Sequence, residues 1–190
     1  MIKNILIISG SPKKNGNTQS LIEWFCEGAR SKDIHIEVVH CATLKTKSNG
    51  CISCRKCQTA EKYECAIDDE VSTVLKKFID ADAIVMATPL YFFGPSAQLK
   101  IVFDRMFSLY KWDNALNTMK TPLKGKKFIL LASAYEDIGL EALEKPFKLT
   151  ADYTNMPFQS LLVPNAGVSG NIGKLKGIRE KAVELGKKVF

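Results

Sequence analysis

The stretch Ile5-Leu6-Ile7-Ile8-Ser9-Gly10-Ser11-Pro12-Lys13-Lys14-Asn15-Gly16-Asn17-Thr18 decides the fold. Its four apolar residues form a short continuous run, which reads as a strand buried on both faces, and the turn-rich segment after Ile8 ends it. A helix is expected next, because Leu21, Ile22, Phe25 and Ala29 repeat at helical spacing and Asn17 or Thr18 stands where an N-cap belongs.

Outward from there the same unit recurs. Further strands are read at 34–39, 83–87, 128–132 and 158–163, the second of these broken at Pro89. Helical patterns lie between them: Val71, Val74, Leu75 and Phe78 behind an Asp68-Asp69 cap; Leu99, Val102, Phe103, Met106 and Phe107 from about Ser96; then 140–153 and 175–189. Five βα units with buried strands imply an α/β, three-layer doubly wound sandwich. The expected parallel sheet has five strands in the order 2-1-3-4-5, with ligands beyond the carboxyl ends of strands 1 and 3. Two loops are thereby singled out, 9–18 and 88–94. One domain spanning 1–190 is expected, interrupted only by a long, polar, cysteine-rich segment at about 41–68.

Composition narrows the class. The chain has 46% apolar and 25% charged residues, in the globular range, and no run approaches the length of a membrane span or a secretory leader. A cytoplasmic protein is the expectation. The 27 basic and 20 acidic residues leave a net charge of +7. The lysines fall as scattered pairs such as Lys13-Lys14 and Lys187-Lys188, which reads as solvated surface and not as a nucleic-acid stripe.

The first loop enters a helix N-terminus, whose free N–H groups and dipole favour an anion, with Ser9, Ser11, Asn17 and Thr18 as added donors. It is neither a Walker A loop, since five residues separate Gly10 from Gly16 and Asn17 replaces the lysine, nor a dinucleotide fingerprint. A monophosphate cradle remains, beside the plain reading of an ordinary strand-to-helix turn. The second loop, Pro89-Leu90-Tyr91-Phe92-Phe93-Gly94, offers aromatics where the chain leaves the sheet and suits a flat heterocycle.

Read together, Ile7 to Lys13, Asn15-Gly16-Asn17-Thr18, Pro89-Leu90-Tyr91-Phe92 and Gln98 through Asp104-Arg105 resemble the flavodoxin-like NAD(P)H-dependent FMN reductase superfamily, in its iron-sulfur flavoprotein-like branch. The resemblance implies an enzyme in which NAD(P)H reduces bound FMN and the flavin passes electrons to a quinone, another flavin or an iron-sulfur acceptor. It implies Ser9, Ser11, Lys13, Asn17 and Thr18 as phosphate contacts and Pro89, Leu90, Tyr91, Phe92, Phe93 and Gly94 along the ring. It implies a homodimer or homotetramer, with 110–122 and Trp112 near the interface. Relatives often carry glycine in the loop after strand 4, where this chain has Ser133-Ala134-Tyr135-Glu136, so no contacts are assigned there. No catalytic acid-base group is expected, since the cofactor carries the chemistry. A flavodoxin-type carrier without nicotinamide oxidation is the alternative, and such carriers are typically acidic.

Four of the six cysteines form the string Cys51-x2-Cys54-x2-Cys57-x7-Cys65. The spacing suits a [4Fe-4S] cluster, suits zinc less well, and also fits free or redox-active thiols. The resemblance favours a cluster beside the flavin. Cys26 and Cys41 read as small buried hydrophobes, His35 and His40 as surface residues, Asp68-Asp69-Glu70 as helix-capping charge, and Lys100 with Asp104 as a surface pair.

Overall fold

The structure is a computed structural model that describes residues 3–31, 33–113 and 115–190. Its strands are β1 (Lys3–Ser9), β2 (Ile34–His40), β3 (Ala83–Tyr91), β4 (Gly94–Pro95), β5 (Lys111–Asp113), β6 (Thr118–Lys120), β7 (Lys127–Ser133) and β8 (Phe158–Val163). Its helices are α1 (Asn17–Ala29), α2 (Lys56–Thr59), α3 (Glu70–Asp80), α4 (Ala97–Arg105), α5 (Leu140–Thr154) and α6 (Ile178–Lys187). The parallel sheet runs β2-β1-β3-β7-β8, the order expected for the five long strands.

Both faces of the sheet are covered, which is why its strands are apolar at consecutive positions. Ile5 and Ile7 of β1 pack with Leu21, Phe25 and Ala182 of α1 and α6, whereas Leu6 and Ile8 pack with Leu75, Val102 and Phe147 of α3, α4 and α5. The α1–α6 layer is set by glycine. A Cβ at Gly28 would stand 1.9 Å from the carbonyl oxygen of Val183, and one at Gly186 would stand 2.1 Å from that of Phe25. Gly28→Ala is therefore expected to destabilise the protein by about 3 kcal/mol, the upper end of overpacking costs. Urea unfolding at neutral pH checks this, and a loss of unfolding free energy below about 1 kcal/mol would show that the helices separate freely.

Three local readings change. The N-cap of α1 is Gly16, with no side-chain cap, and Asn17 is the first helical residue. Strand β3 does not break at Pro89 but runs to Tyr91. Pairing with β1 ends at Ala87, while pairing with β7 continues to Pro89↔Ser133, so the proline falls where β3 has lost one neighbour and its missing N–H is tolerated. Met106 and Phe107 leave α4 for a 3-10 turn, Met106–Leu109, and another, Asn171–Lys174, precedes the shortened α6.

Segment 41–68 holds only a 3-10 turn at Cys41–Thr43 and the single-turn α2, yet it is clamped at both ends. Glu70 Oε2 accepts from Lys45 N at 2.8 Å, and Asp69 Oδ2 accepts from Lys47 N at 3.0 Å. In mid-segment the Gln58 amide donates to the carbonyls of Phe107 and Tyr110.

Candidate functional site

At the carboxyl ends of β1, β3 and β7 lies a cleft of about 330 Å³, lined by Ser11, Lys13, Gly16, Asn17, Thr18, Pro89, Leu90, Tyr91, Ser133, Ala134, Tyr135, Gly167, Val168 and Ser169. That volume is within the range of small-molecule sites. The two expected loops are bolted together at its base. Ser96 Oγ donates to Gly10 O at 2.6 Å, Ser96 N donates to Thr88 Oγ1 at 3.0 Å, and Gly10 N donates to Ala87 O at 2.7 Å. Gly10 has no room for a side chain, since a Cβ there would stand 2.6 Å from Leu99 Cβ.

The entry of α1 is left open to an anion. Helices α3 and α4 satisfy their first N–H groups with Asp69 and Ser96, but α1 has neither a side-chain cap nor an acidic residue in its first turn. Its unpaired N–H groups therefore open at the cleft, which Lys13 lines and no carboxylate among the described residues does.

The expected residues divide. Ser11, Lys13, Asn17, Thr18, Pro89, Leu90 and Tyr91 converge on the cleft. Ser9 does not line it: the residue is fully buried and its Oγ has no partner among the described residues. Ser11 Oγ lies in a tight turn with Lys13, accepting from its N–H and donating to its carbonyl. The Asn17 side chain is occupied: Nδ2 donates to Ala166 O, Gly167 O and Val168 O, and Oδ1 accepts from Gly170 N and Ile172 N. It fastens the loop after β8 to the start of α1, which leaves its own backbone N–H as the group it can offer an anion.

Phe92, Phe93 and Gly94 also stand apart from the cleft. Tyr91 pairs with Gly94, so Phe92 and Phe93 are the centre of a two-residue hairpin turn, with φ of 47° and 69°. Positive φ at both centres suits the strand twist but usually takes Asn-Gly, so two phenylalanines there are strained. Phe92 is 96% exposed, while Phe93 packs on Gly139. Two walls escaped the sequence reading: Ser133 to Tyr135, left unassigned, and Gly167 to Ser169, whose turn-forming composition just beyond the last strand was the available signal.

A second, small cavity of about 20 Å³ gathers all four clustered cysteines, Cys51, Cys54, Cys57 and Cys65, with Arg55, Ile67, Arg105 and Ser108. Positive φ at Gly50, Ser53 and Arg55 turns the chain sharply enough to bring the string onto one site. Cys57 is buried, and Cys51 and Cys54 are exposed. Burial pushes the Cys57 thiol up, and Cys65, Cys54 and Cys51 push it further the same way. Among the described residues no three such side chains are placed to hold a single metal ion. The chemistry of the donor set, four thiols lining one cavity, is that of a cluster held by four cysteines.

Beneath the cysteines lies an ion pair. Arg105 Nη1 donates to Asp69 Oδ2 at 2.8 Å, with side-chain exposures of 0% and 2%. Burial alone would lift the Asp69 carboxyl, but hydrogen bonds from Arg105, Lys47 N and Ser72 N outweigh it and hold the group below the usual carboxylate range. Asp69 caps α3, as expected, in a box with Ser72. Its tie to Arg105 is a further role. Cys26 and Cys41 are buried, and burial pushes the Cys41 thiol up to about 12. His35 is exposed and Lys100 pairs with Asp104, as expected, while His40 is half-buried. Trp112 is half-exposed on the β5–β6 ribbon; Asn114, within the expected interface segment 110–122, lies outside the described residues.

An open parallel sheet with a mononucleotide-sized cleft at its switch point defines a flavodoxin-like α/β protein. The family model for NADPH-dependent FMN reductase matches residues 3–166, and the chain belongs to that family. An iron-sulfur flavoprotein of Methanocaldococcus jannaschii is 39% identical over 101 residues, which is 53% of this chain and 50% of that protein. One from Methanosarcina thermophila is 32% identical over 109 residues, 57% and 55% of the two chains. The chain thus spans about half the length of these curated relatives. Among solved structures, an FMN-dependent NADH-azoreductase from Bacillus anthracis in complex with FMN aligns with a TM-score of 0.74 at 16% identity, over 98% of this chain and 99% of that one. An NAD(P)H:quinone oxidoreductase from Methanothermobacter marburgensis aligns at 0.73 and 15%, over 100% and 98%. Both show the shared fold. No helix among the described residues is long and apolar enough to cross a membrane.

Proposed function

We propose that this chain binds FMN in the cleft and, as an NAD(P)H-dependent oxidoreductase, passes electrons from a nicotinamide through the flavin to a quinone, a second flavin or an iron-sulfur acceptor. The observation that carries this reading is the uncapped N-terminus of α1, opening beside Lys13 into a cleft without a carboxylate. Bound FMN would supply the hydride-accepting and one-electron chemistry. The chain's own part is to bind and orient. The first N–H groups of α1 and the Thr18 hydroxyl would hold the phosphate, and Lys13 would add charge. Pro89, Leu90 and Tyr91 would border the ring on one side, and Ser133 to Tyr135 on another. The Ser96–Gly10–Thr88 contacts keep both loops from shifting.

Thr18→Ala is expected to weaken FMN binding by about 1–2 kcal/mol, or roughly 5–30-fold in Kd, as for loss of a hydrogen bond to a charged group. Fluorescence titration of the stripped protein measures it, and an unchanged Kd would remove Thr18 from the site. Oxidation of NADPH with a quinone, without any added protein, distinguishes the enzyme from a flavodoxin-type carrier. The pI of 9.1 already favours the enzyme.

The same reading places a [4Fe-4S] cluster on Cys51, Cys54, Cys57 and Cys65, supported by their sharing one cavity and by the names of the curated relatives. It includes one domain over 1–190, residence in the cytoplasm, where thiols stay reduced, and a homodimer or homotetramer. Self-association is supported by exposed Phe92 and Trp112 and by an apolar groove of about 530 Å³ between Phe107, Tyr110, Leu149 and Tyr153.

A further inference from the structure

Arg105 ends α4 with a fully buried guanidinium that lines the cysteine cavity. Two of its nitrogens are engaged by the fold, Nη1 with Asp69 and Nη2 with Ile67 O at 2.9 Å. Nε has no hydrogen-bond partner among the described residues. A buried, charged donor left unpaired is costly, and such groups are kept where something accepts from them. Cys65 and the other three cysteines of the string line the same cavity as the guanidinium. Arg55, the other cation on the cavity, is exposed and screened by solvent. Asp69, already paired, is the one carboxylate that the structure sets against Arg105.

We propose that Arg105 tunes the cysteine site: its Nε–H donates to a sulfur of the iron-sulfur cluster held by Cys51, Cys54, Cys57 and Cys65, and its charge raises the cluster's reduction potential. This rests on the cluster reading above. On reduction one electron enters the cluster, no covalent bond forms or breaks, and the added negative charge is what a fixed, desolvated cation stabilises. Asp69 has the opposite effect, holding the guanidinium in place while cancelling part of its charge.

The test is a redox titration, followed by electron paramagnetic resonance, of the full chain reconstituted with iron and sulfide. Arg105→Gln is expected to keep its iron and to shift the oxidised-to-reduced ratio at least tenfold toward oxidised at a fixed potential, about 59 mV for a one-electron couple. Asp69→Asn, which retains a cap acceptor for α3, is expected to shift it the other way. A purely structural ion pair would move both variants alike or neither, and either result overturns the proposal. Should Arg105→Gln fail to fold, Arg105→Lys is read in its place. It is expected to shift toward oxidised because it lacks Nε, and an unshifted potential overturns the proposal. A wild-type protein that takes up no iron overturns the cluster reading and this inference with it, whereas iron at an unshifted potential in the Arg105 variants overturns this inference alone.

Discussion

Cys54→Ser protein, reconstituted with iron and sulfide in the absence of oxygen, is expected to lose its iron from about four per chain to background while keeping its flavin. The two sites share no lining residue: the cleft proposed for flavin is built at the carboxyl ends of β1, β3 and β7, and the cysteine cavity by segment 41–68 against Arg105 to Ser108. Removing one thiolate of four leaves a cluster without a ligand on one iron. Cys54 is exposed, so its exchange for the nearly isosteric serine leaves the buried Cys57 and the clamps at Lys45 and Lys47 in place. Iron and flavin assays on one sample read the outcome. Joint loss of iron and flavin would show that the cysteine segment is a structural support of the cleft, and unchanged iron would show that Cys54 is no ligand.

Asp69→Ala carries the largest expected cost in stability, about 3–5 kcal/mol, because it strands the buried guanidinium of Arg105. It also removes the N-cap of α3, worth about a further 1 kcal/mol, and the acceptor for Lys47 N. The effect depends on pH with a definite sign. The folded carboxyl is held below its ordinary pKa of about 3.9, so its stabilisation is complete above that value and is lost as pH falls through the folded one. The gap between wild type and Asp69→Ala in urea unfolding should be widest at neutral pH and close in acid. A gap of less than about 1 kcal/mol at pH 7 would mean that the pair contributes nothing net, as many ion pairs do.

The fold was legible because its signals are local and repeated. Five apolar runs and the helical spacing between them dictate a parallel sheet covered on both faces, and the strand order follows from the usual winding of such chains. The site was legible in part. The loop after β1 announced itself through Gly10, Ser11 and Thr18, yet its chemistry depends on a wall 150 residues away, where Asn17 meets Ala166 to Val168. No local pattern reports such a contact. Ser9 stands outside the cleft because alternation along β1 turns it inward with Ile5 and Ile7. The hairpin that sets Phe92 and Phe93 apart from the cleft was not foreseen, because a two-residue turn made of phenylalanine runs against turn chemistry. The Arg105–Asp69 pair joins the end of α4 to the cap of α3, a contact between residues 36 apart that no local pattern reports.

The central claim, FMN in the cleft with a cluster on the cysteines, is tested most directly by the absorption spectrum of protein purified without oxygen, with flavin and iron quantified on the same sample. Flavin bands over a broad charge-transfer shoulder, with about one flavin and four irons per chain, are the predicted result. A colourless protein that takes up no added FMN would contradict it.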